Sequence, residues 1–339
     1  MSRVAIIGAG AWGTALAIAR ARKDQSEVRL WAFEAEVCRS ITEHHVNEMY
    51  LPGMAIPQSV RASSSLKEVL EGAEIVISVM PSPHVRRVFT QMAPLLRPET
   101  LLVSATKGIE EGTLLRMTEV AGEVLRAARP GSGPRMGALS GPSFAKEVAG
   151  GDPTAVTVAS RDAELASRIQ REFSDSNLRI YTNDDVVGVE LGGALKNVIA
   201  IAAGVCDGLG LGHNTIAALI TRGLAEITRL AVACGGRRET MAGLAGVGDL
   251  VLTCTGGLSR NRTVGVELGR GRKLAEILAG MHGAVAEGIF TIQAALGLAK
   301  KHGVEMPISQ QMDLILHQGR SPKDAIRELM MRPGKEESA

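Results

Sequence analysis

Aromatic residues make up only 3% of this 339-residue chain, and cysteines number four. The shortage of rings excludes a core built on aromatic clusters. The apolar 45% must therefore pack through Ala, Val, Leu, Ile and Met. Cys38, Cys206, Cys234 and Cys254 form no CxxC pair, and none stands near a histidine at zinc-ligand spacing, so reduced structural thiols are expected and no metal. Neither sign of charge dominates: 38 Lys and Arg against 36 Asp and Glu give a net charge of +2, which offers no reason to expect nucleic acid as partner. Charges interrupt every long apolar stretch, so no run is expected to reach the roughly 18 residues of a membrane span. The opening "MSRVAIIGAGAWG" enters a strand and a glycine turn at once and leaves no room for a signal peptide, so a cytoplasmic protein is expected.

Glycine is abundant instead, with 39 residues clustered in short motifs rather than in a collagen-like period. The chain is long enough for two domains. Apolar strand patterns in its first half ("RVAIIGAG", "EVRLWAF", Glu74–Met80, Thr100–Thr106, Met136–Gly141, Thr154–Ser160 and Leu178–Thr182) alternate with helical stretches. That pattern predicts an α/β Rossmann-type domain over 1–182, a mostly parallel doubly wound sheet with helices on both faces. From 183 to 339 the periodicity is helical throughout, and an all-α, substrate-binding domain is expected.

Gly8-Ala9-Gly10-Ala11-Trp12-Gly13 is a GxGxxG that follows a strand and opens a helix, the context a dinucleotide site requires. Gly8 permits the tight turn, Gly10 admits the pyrophosphate, and Gly13 lets helix and strand approach. Glu34 lies 34 − 13 = 21 residues beyond Gly13, where an acid accepts from the ribose 2′-OH. An acid there equally suits the start of a helix. Phe33 precedes it, and Arg39 stands one or two helical turns on. NADH is therefore expected to be preferred over NADPH, whose 2′-phosphate would approach a carboxylate. "VMPSPHVRRVF" (Val79–Phe89) reads either as a loop over the nicotinamide ribose or as an ordinary turn with proline near a helix start.

In the second half, "ELGGALKNVIAIAAG" (Glu190–Gly204) places Lys196 among small apolar residues. Burying an ammonium is costly unless it is paired or its pKa falls. A partly desolvated lysine could serve as acid/base at an alcohol or carbonyl; it could also merely lay its stem along a neighbouring surface. Lys107 follows a strand in "ATKGIE", Ser143 sits in "LSGPSFAKEV", and Asp249 in "GVGDLVLTCT". Ser259, Arg260 and Asn261 open "LSRNRTVG", and an Arg–Asn pair near a helix start is a natural phosphate clamp.

Taken in order from Gly8 to Glu287, these blocks resemble bacterial-type NAD(P)-dependent glycerol-3-phosphate dehydrogenase. "ELGGALKN" and "SRNR" are the most specific of them. The resemblance implies interconversion of sn-glycerol 3-phosphate and dihydroxyacetone phosphate, supplying phospholipid synthesis, with Lys196 as proton acceptor. It places substrate contacts at Lys107, Gly141, Ser143, Lys196, Asp249, Ser259, Arg260 and Asn261. Cofactor contacts fall at Gly8, Gly10, Ala11, Trp12, Gly13, Phe33, Glu34, Lys107, Ala145, Arg260, Val285 and Glu287. A homodimer is a family expectation. His or Arg is frequent in the family where this chain has Phe33 and Glu34. Asp249 is left with two roles, holding a substrate hydroxyl or orienting Lys196. The alternative enzyme is a related two-domain 3-hydroxy acid dehydrogenase, which would need a carboxylate clamp in place of a phosphate clamp.

Overall fold

The computed structural model describes residues 2–131, 133–281, 286–334 and 336–337. Its centre is an eight-stranded sheet. In chain order the strands are β1 (Val4–Ile7), β2 (Val28–Trp31), β5 (Val60–Ser63), β6 (Ile75–Ser78), β7 (Leu101–Ser104), β8 (Arg135–Ser140), β9 (Thr154–Ala159) and β10 (Leu178–Asn183). Across the sheet they run β10-β9-β8-β7-β6-β1-β2-β5. All neighbours are parallel except β8 and β9. β1, β6 and β7 are buried along their whole length, as continuous apolar strands covered on both faces must be. The strand order reverses at β1, and ligands of open α/β sheets bind beyond the carboxyl ends of the strands at such a switch point.

Three strands carry no readable pattern in the sequence. β3 (Val46–Asn47) and β4 (Leu51–Ala55) form a small antiparallel hairpin, with Pro52 and Gly53 inside β4. β5 is a short edge strand on β2. Each is too short, or too interrupted, for alternation to show.

After Asn183 the described residues form helices and no strand. At the centre lies the helix Val186–Gly208, here the lysine helix, buried at every position from Val187 to Cys206. Among the described residues it is the one single helix long and apolar enough by length and composition to cross a membrane, although Glu190, Lys196 and Asp207 interrupt it. Since 94% of its apolar window is buried inside the protein, that character serves packing. The helices His213–Ala233, Asp249–Thr255, Arg260–Gly269 and Glu287–His302 surround it. Small residues permit the closest crossing: a Cβ at Gly204 would lie 2.0 Å from the Arg262 carbonyl oxygen, and one at Gly265 2.0 Å from that of Ile201. All four cysteines are free thiols.

Candidate active site

The glycine turn joins β1 to the helix Ala11–Asp24. Gly8 has φ +120, and a Cβ there would sit 2.2 Å from the Val79 carbonyl oxygen, so no other residue fits. A Cβ at Gly13 would strike the Gly8 carbonyl oxygen at 1.9 Å. Above Gly10, by contrast, nothing stands within 4 Å. The helix starts with no side-chain cap and no acid in its first turn, so its free N–H groups face that open space. This is the shape and charge a pyrophosphate needs. Trp12 adds a buried indole N–H that has no partner among the described residues. The turn is braced from a distance. Asn47, from the β3–β4 hairpin, donates to the Ala9 carbonyl and to Thr14 Oγ1, both at 2.8 Å. Nothing local in the sequence announces that brace.

At the end of β2, Phe33 is 61% exposed and meets Trp31 edge to face. Glu34 occupies the N-cap position of the helix Ala35–His44 without capping it; its carboxylate accepts from the Tyr50 hydroxyl at 3.0 Å. Arg87 Cζ lies 5.5 Å from the Phe33 ring centroid. "VMPSPHVRRVF" becomes a single 3₁₀ turn, Ser82–His84, followed by the helix Val85–Met92. Ser82 donates to Glu287 from its backbone N–H at 3.2 Å and from its hydroxyl at 2.7 Å, which ties the turn to the helical half. Burial raises the Glu287 carboxyl above its ordinary value, and Ser82 and Arg260 offset that only in part. Ala145 begins the short helix Ala145–Gly150. Val285 lies outside the described residues.

A buried charged cluster forms where the lysine helix crosses the carboxyl edge of the sheet. Lys196 is 6% exposed and Asp249 1%. Lys196 Nζ donates to Asp249 Oδ1, and to Thr253 Oγ1 at 2.6 Å. The other oxygen of the same carboxylate accepts from Lys107 Nζ at 2.6 Å. Lys107 also reaches the Gly141 carbonyl at 3.3 Å, which accepts from the Ser143 hydroxyl at 2.9 Å as well. Gly141 takes φ +142, a conformation that turns this carbonyl toward the cluster at little strain only for glycine. Asp249 is thus bonded to both lysines, one through each carboxylate oxygen.

Burial lowers the Lys196 ammonium to about 8; Asp249 opposes the shift and Lys107 adds to it. For Asp249, burial works to raise the carboxyl, but the two lysines outweigh it and hold it below its ordinary value. Two ammonium groups thus share one carboxylate. Losing a proton from Lys196 leaves a balanced Lys107–Asp249 pair, so the buried cluster brings the neutral amine within reach just above neutral pH.

Ser259, Arg260 and Asn261 take three different positions. Ser259 caps its helix by accepting from the Arg262 N–H at 3.2 Å. Arg260 is exposed and has no hydrogen bond or ion pair among the described residues. The Asn261 side chain is buried; it donates to Asn197 at 3.0 Å and accepts from the Gly288 N–H at 3.0 Å. Of the expected Arg–Asn pair, the Asn261 side chain is thus engaged inside the protein and the Arg260 side chain is on the surface. Thr253 escaped sequence reading, although it lies one helical turn beyond Asp249 on the same face, a spacing that could have exposed it.

A glycine turn at a sheet switch point and a buried lysine–carboxylate cluster at the carboxyl edge of the same sheet are together the equipment of a dinucleotide-dependent dehydrogenase. Residues 3–166 match the profile of the NAD-dependent glycerol-3-phosphate dehydrogenase N-terminus, and residues 185–327 that of its C-terminus. The chain belongs to the NAD-dependent glycerol-3-phosphate dehydrogenase family, as the motifs implied. It is 68% identical over 333 residues to a glycerol-3-phosphate dehydrogenase (NAD(P)+) of Koribacter versatilis, covering 98% of each chain. It is 58% identical over 340 residues to that of Acidobacterium capsulatum, covering 99% of this chain and all of the relative. The crystal structure of glycerol-3-phosphate dehydrogenase from Coxiella burnetii matches with a TM-score of 0.91 at 41% identity, covering 98% of this chain and 99% of that one.

Proposed function

We propose that this chain interconverts sn-glycerol 3-phosphate and dihydroxyacetone phosphate, using NAD(H) in preference to NADP(H). Bound at the glycine turn, the nicotinamide coenzyme supplies the hydride acceptor or donor. The observation that carries the reading is the buried Lys196–Asp249–Lys107 cluster, whose Lys196 ammonium is brought to about 8. Lys196 in its neutral form takes the proton from the C2 hydroxyl during oxidation and returns it during reduction. Asp249 and Thr253 fix where its amine points; Lys107 depresses its basicity. Arg260 and the N–H groups at the start of its helix hold the phosphate, and that remote contact orients the reacting carbon. The Gly141 carbonyl, which accepts from Lys107 and from Ser143, and the hydroxyl of Ser143 line the same side. Glu34 holds the adenine ribose, and Ala145, Val285 and Glu287 complete the coenzyme site. The units are 1–182 and 183–339, the working form is a homodimer in the cytoplasm, and the product feeds phospholipid synthesis.

The deciding assay follows NADH oxidation with dihydroxyacetone phosphate against a panel of keto acids. Turnover with dihydroxyacetone phosphate alone supports the reading. Turnover with a keto acid instead would establish the 3-hydroxy acid alternative, and turnover with neither would leave a protein that binds the coenzyme without using it.

A further inference from the structure

The helix Val85–Met92 carries two adjacent arginines with opposite environments. Arg86 is saturated: Nε and Nη2 bond Glu110 at 2.9 and 2.7 Å, and Nη1 bonds Glu123 at 2.8 Å. Arg87 is exposed and has no hydrogen bond or ion pair among the described residues; its recorded contact is the face of Phe33. Phe33 and Glu34 follow β2 after Ala32, and the Trp31 carbonyl accepts from the Gly8 N–H at 3.1 Å, so this edge adjoins the glycine turn. The Glu34 carboxylate is meanwhile held by the Tyr50 hydroxyl. One rim of the turn thus presents both an anchored carboxylate and a free guanidinium parked on an exposed ring.

We propose that Arg87 is the residue by which this site accepts the 2′-phosphate of NADP(H). The inference rests on the reading that the end of β2 holds the adenine ribose. An exposed contact between a guanidinium and a ring is weak and readily exchanged, whereas a phosphate offers a charge-assisted, two-point partner. Arg87 leaves Phe33 for the phosphate when NADP(H) binds and stays on the ring when NAD(H) binds, whose 2′-OH Glu34 accepts. Glu34 sets the preference and Arg87 limits its size. Sequence distance hides this, since Arg87 enters from a different strand–helix unit, 53 residues beyond Glu34 by subtraction of their numbers.

The test is equilibrium binding of NADH, NADPH, 5′-AMP and 2′,5′-ADP to the full chain by calorimetry, for wild type, Arg87→Ala, Arg87→Lys and Glu34→Gln, with thermal melts to confirm folding. Arg87→Ala shifts the NADPH-to-NADH affinity ratio roughly ten- to a hundredfold toward NADH, and the 2′,5′-ADP to 5′-AMP ratio with it, the range for one charge-assisted contact. Arg87→Lys recovers part of the ratio. An Arg87→Ala ratio that stays put, whether both affinities fall together or neither falls, overturns the assignment. Glu34→Gln tests the underlying reading separately. If it leaves NADH affinity unchanged while Arg87→Ala moves the ratio, Glu34 is not the ribose acceptor and the phosphate site beside the end of β2 stands; if it weakens NADH and Arg87→Ala does nothing to the ratio, only the Arg87 assignment falls.

Discussion

Two parts of the molecule, the glycine turn and the buried lysine–carboxylate cluster, are built in opposite ways. At the glycine turn, backbone N–H groups at one helix start face an open space, and one short run of sequence supplies nearly everything. At the buried cluster, side chains arrive from separate elements: Lys107 after β7, Lys196 from the lysine helix, Asp249 and Thr253 from a third segment. The first site depends on what is missing, namely side chains. The second depends on charges held in surplus and kept dry. Backbone sites need conformation and so leave local traces. Side-chain sites need juxtaposition, which the fold provides.

The sharpest way to break this contrast is to remove the lysine. Lys196→Ala is expected to lower kcat by about 10²–10⁴, the worth of one acid/base group, while NADH affinity stays near wild type. A near-normal kcat would end the assignment. An equal loss of NADH binding would mean that the two sites are not separately built.

Arg260→Ala should cost roughly ten- to over a hundredfold in kcat/KM with dihydroxyacetone phosphate, the range for a charge-assisted contact. Unphosphorylated dihydroxyacetone should be used equally poorly by variant and wild type. Proportionate loss on both substrates would place Arg260 in the chemistry and not on the phosphate.

The pH profile refines the electrostatics of the cluster. Lys196 must be neutral to accept a proton, and burial brings it to about 8. Glycerol 3-phosphate oxidation should therefore fall as pH drops below about 8, approaching tenfold per unit, and ketone reduction should fall as pH rises above it. Lys107→Met removes a neighbouring cation and leaves Asp249 wholly to Lys196, so the midpoint of the oxidation limb should move upward. A downward or absent shift in kcat/KM against pH would show that Lys107 does not tune Lys196.

The smallest expected effect lies at the rim of the backbone site. Glu34→Arg should swing the ratio of kcat/KM for NADH over NADPH toward NADPH, because a carboxylate near the 2′ position is replaced by a cation. The hypothesis fails if wild type already favours NADPH, or if the substitution leaves the ratio unmoved.

Much of this was legible in the residues alone. GxGxxG between an apolar strand and a helix, a strand-rich first half, a helical second half and one lysine in a small-residue helix are each local patterns with a local physical cause. They determined the fold class and marked the glycine turn and Lys196 as the candidate site. Short or interrupted strands such as β3, β4 and β5 left no period to read, so the Asn47 brace on the Ala9 carbonyl stayed hidden. The tertiary structure alone decided that Asp249 grips both lysines and that Asn261 faces inward to Asn197 while Arg260 stays free. It likewise decided that Arg87 stands over Phe33. These are contacts between residues tens to more than a hundred positions apart, and spacing along a chain carries no information about them until packing brings the elements together.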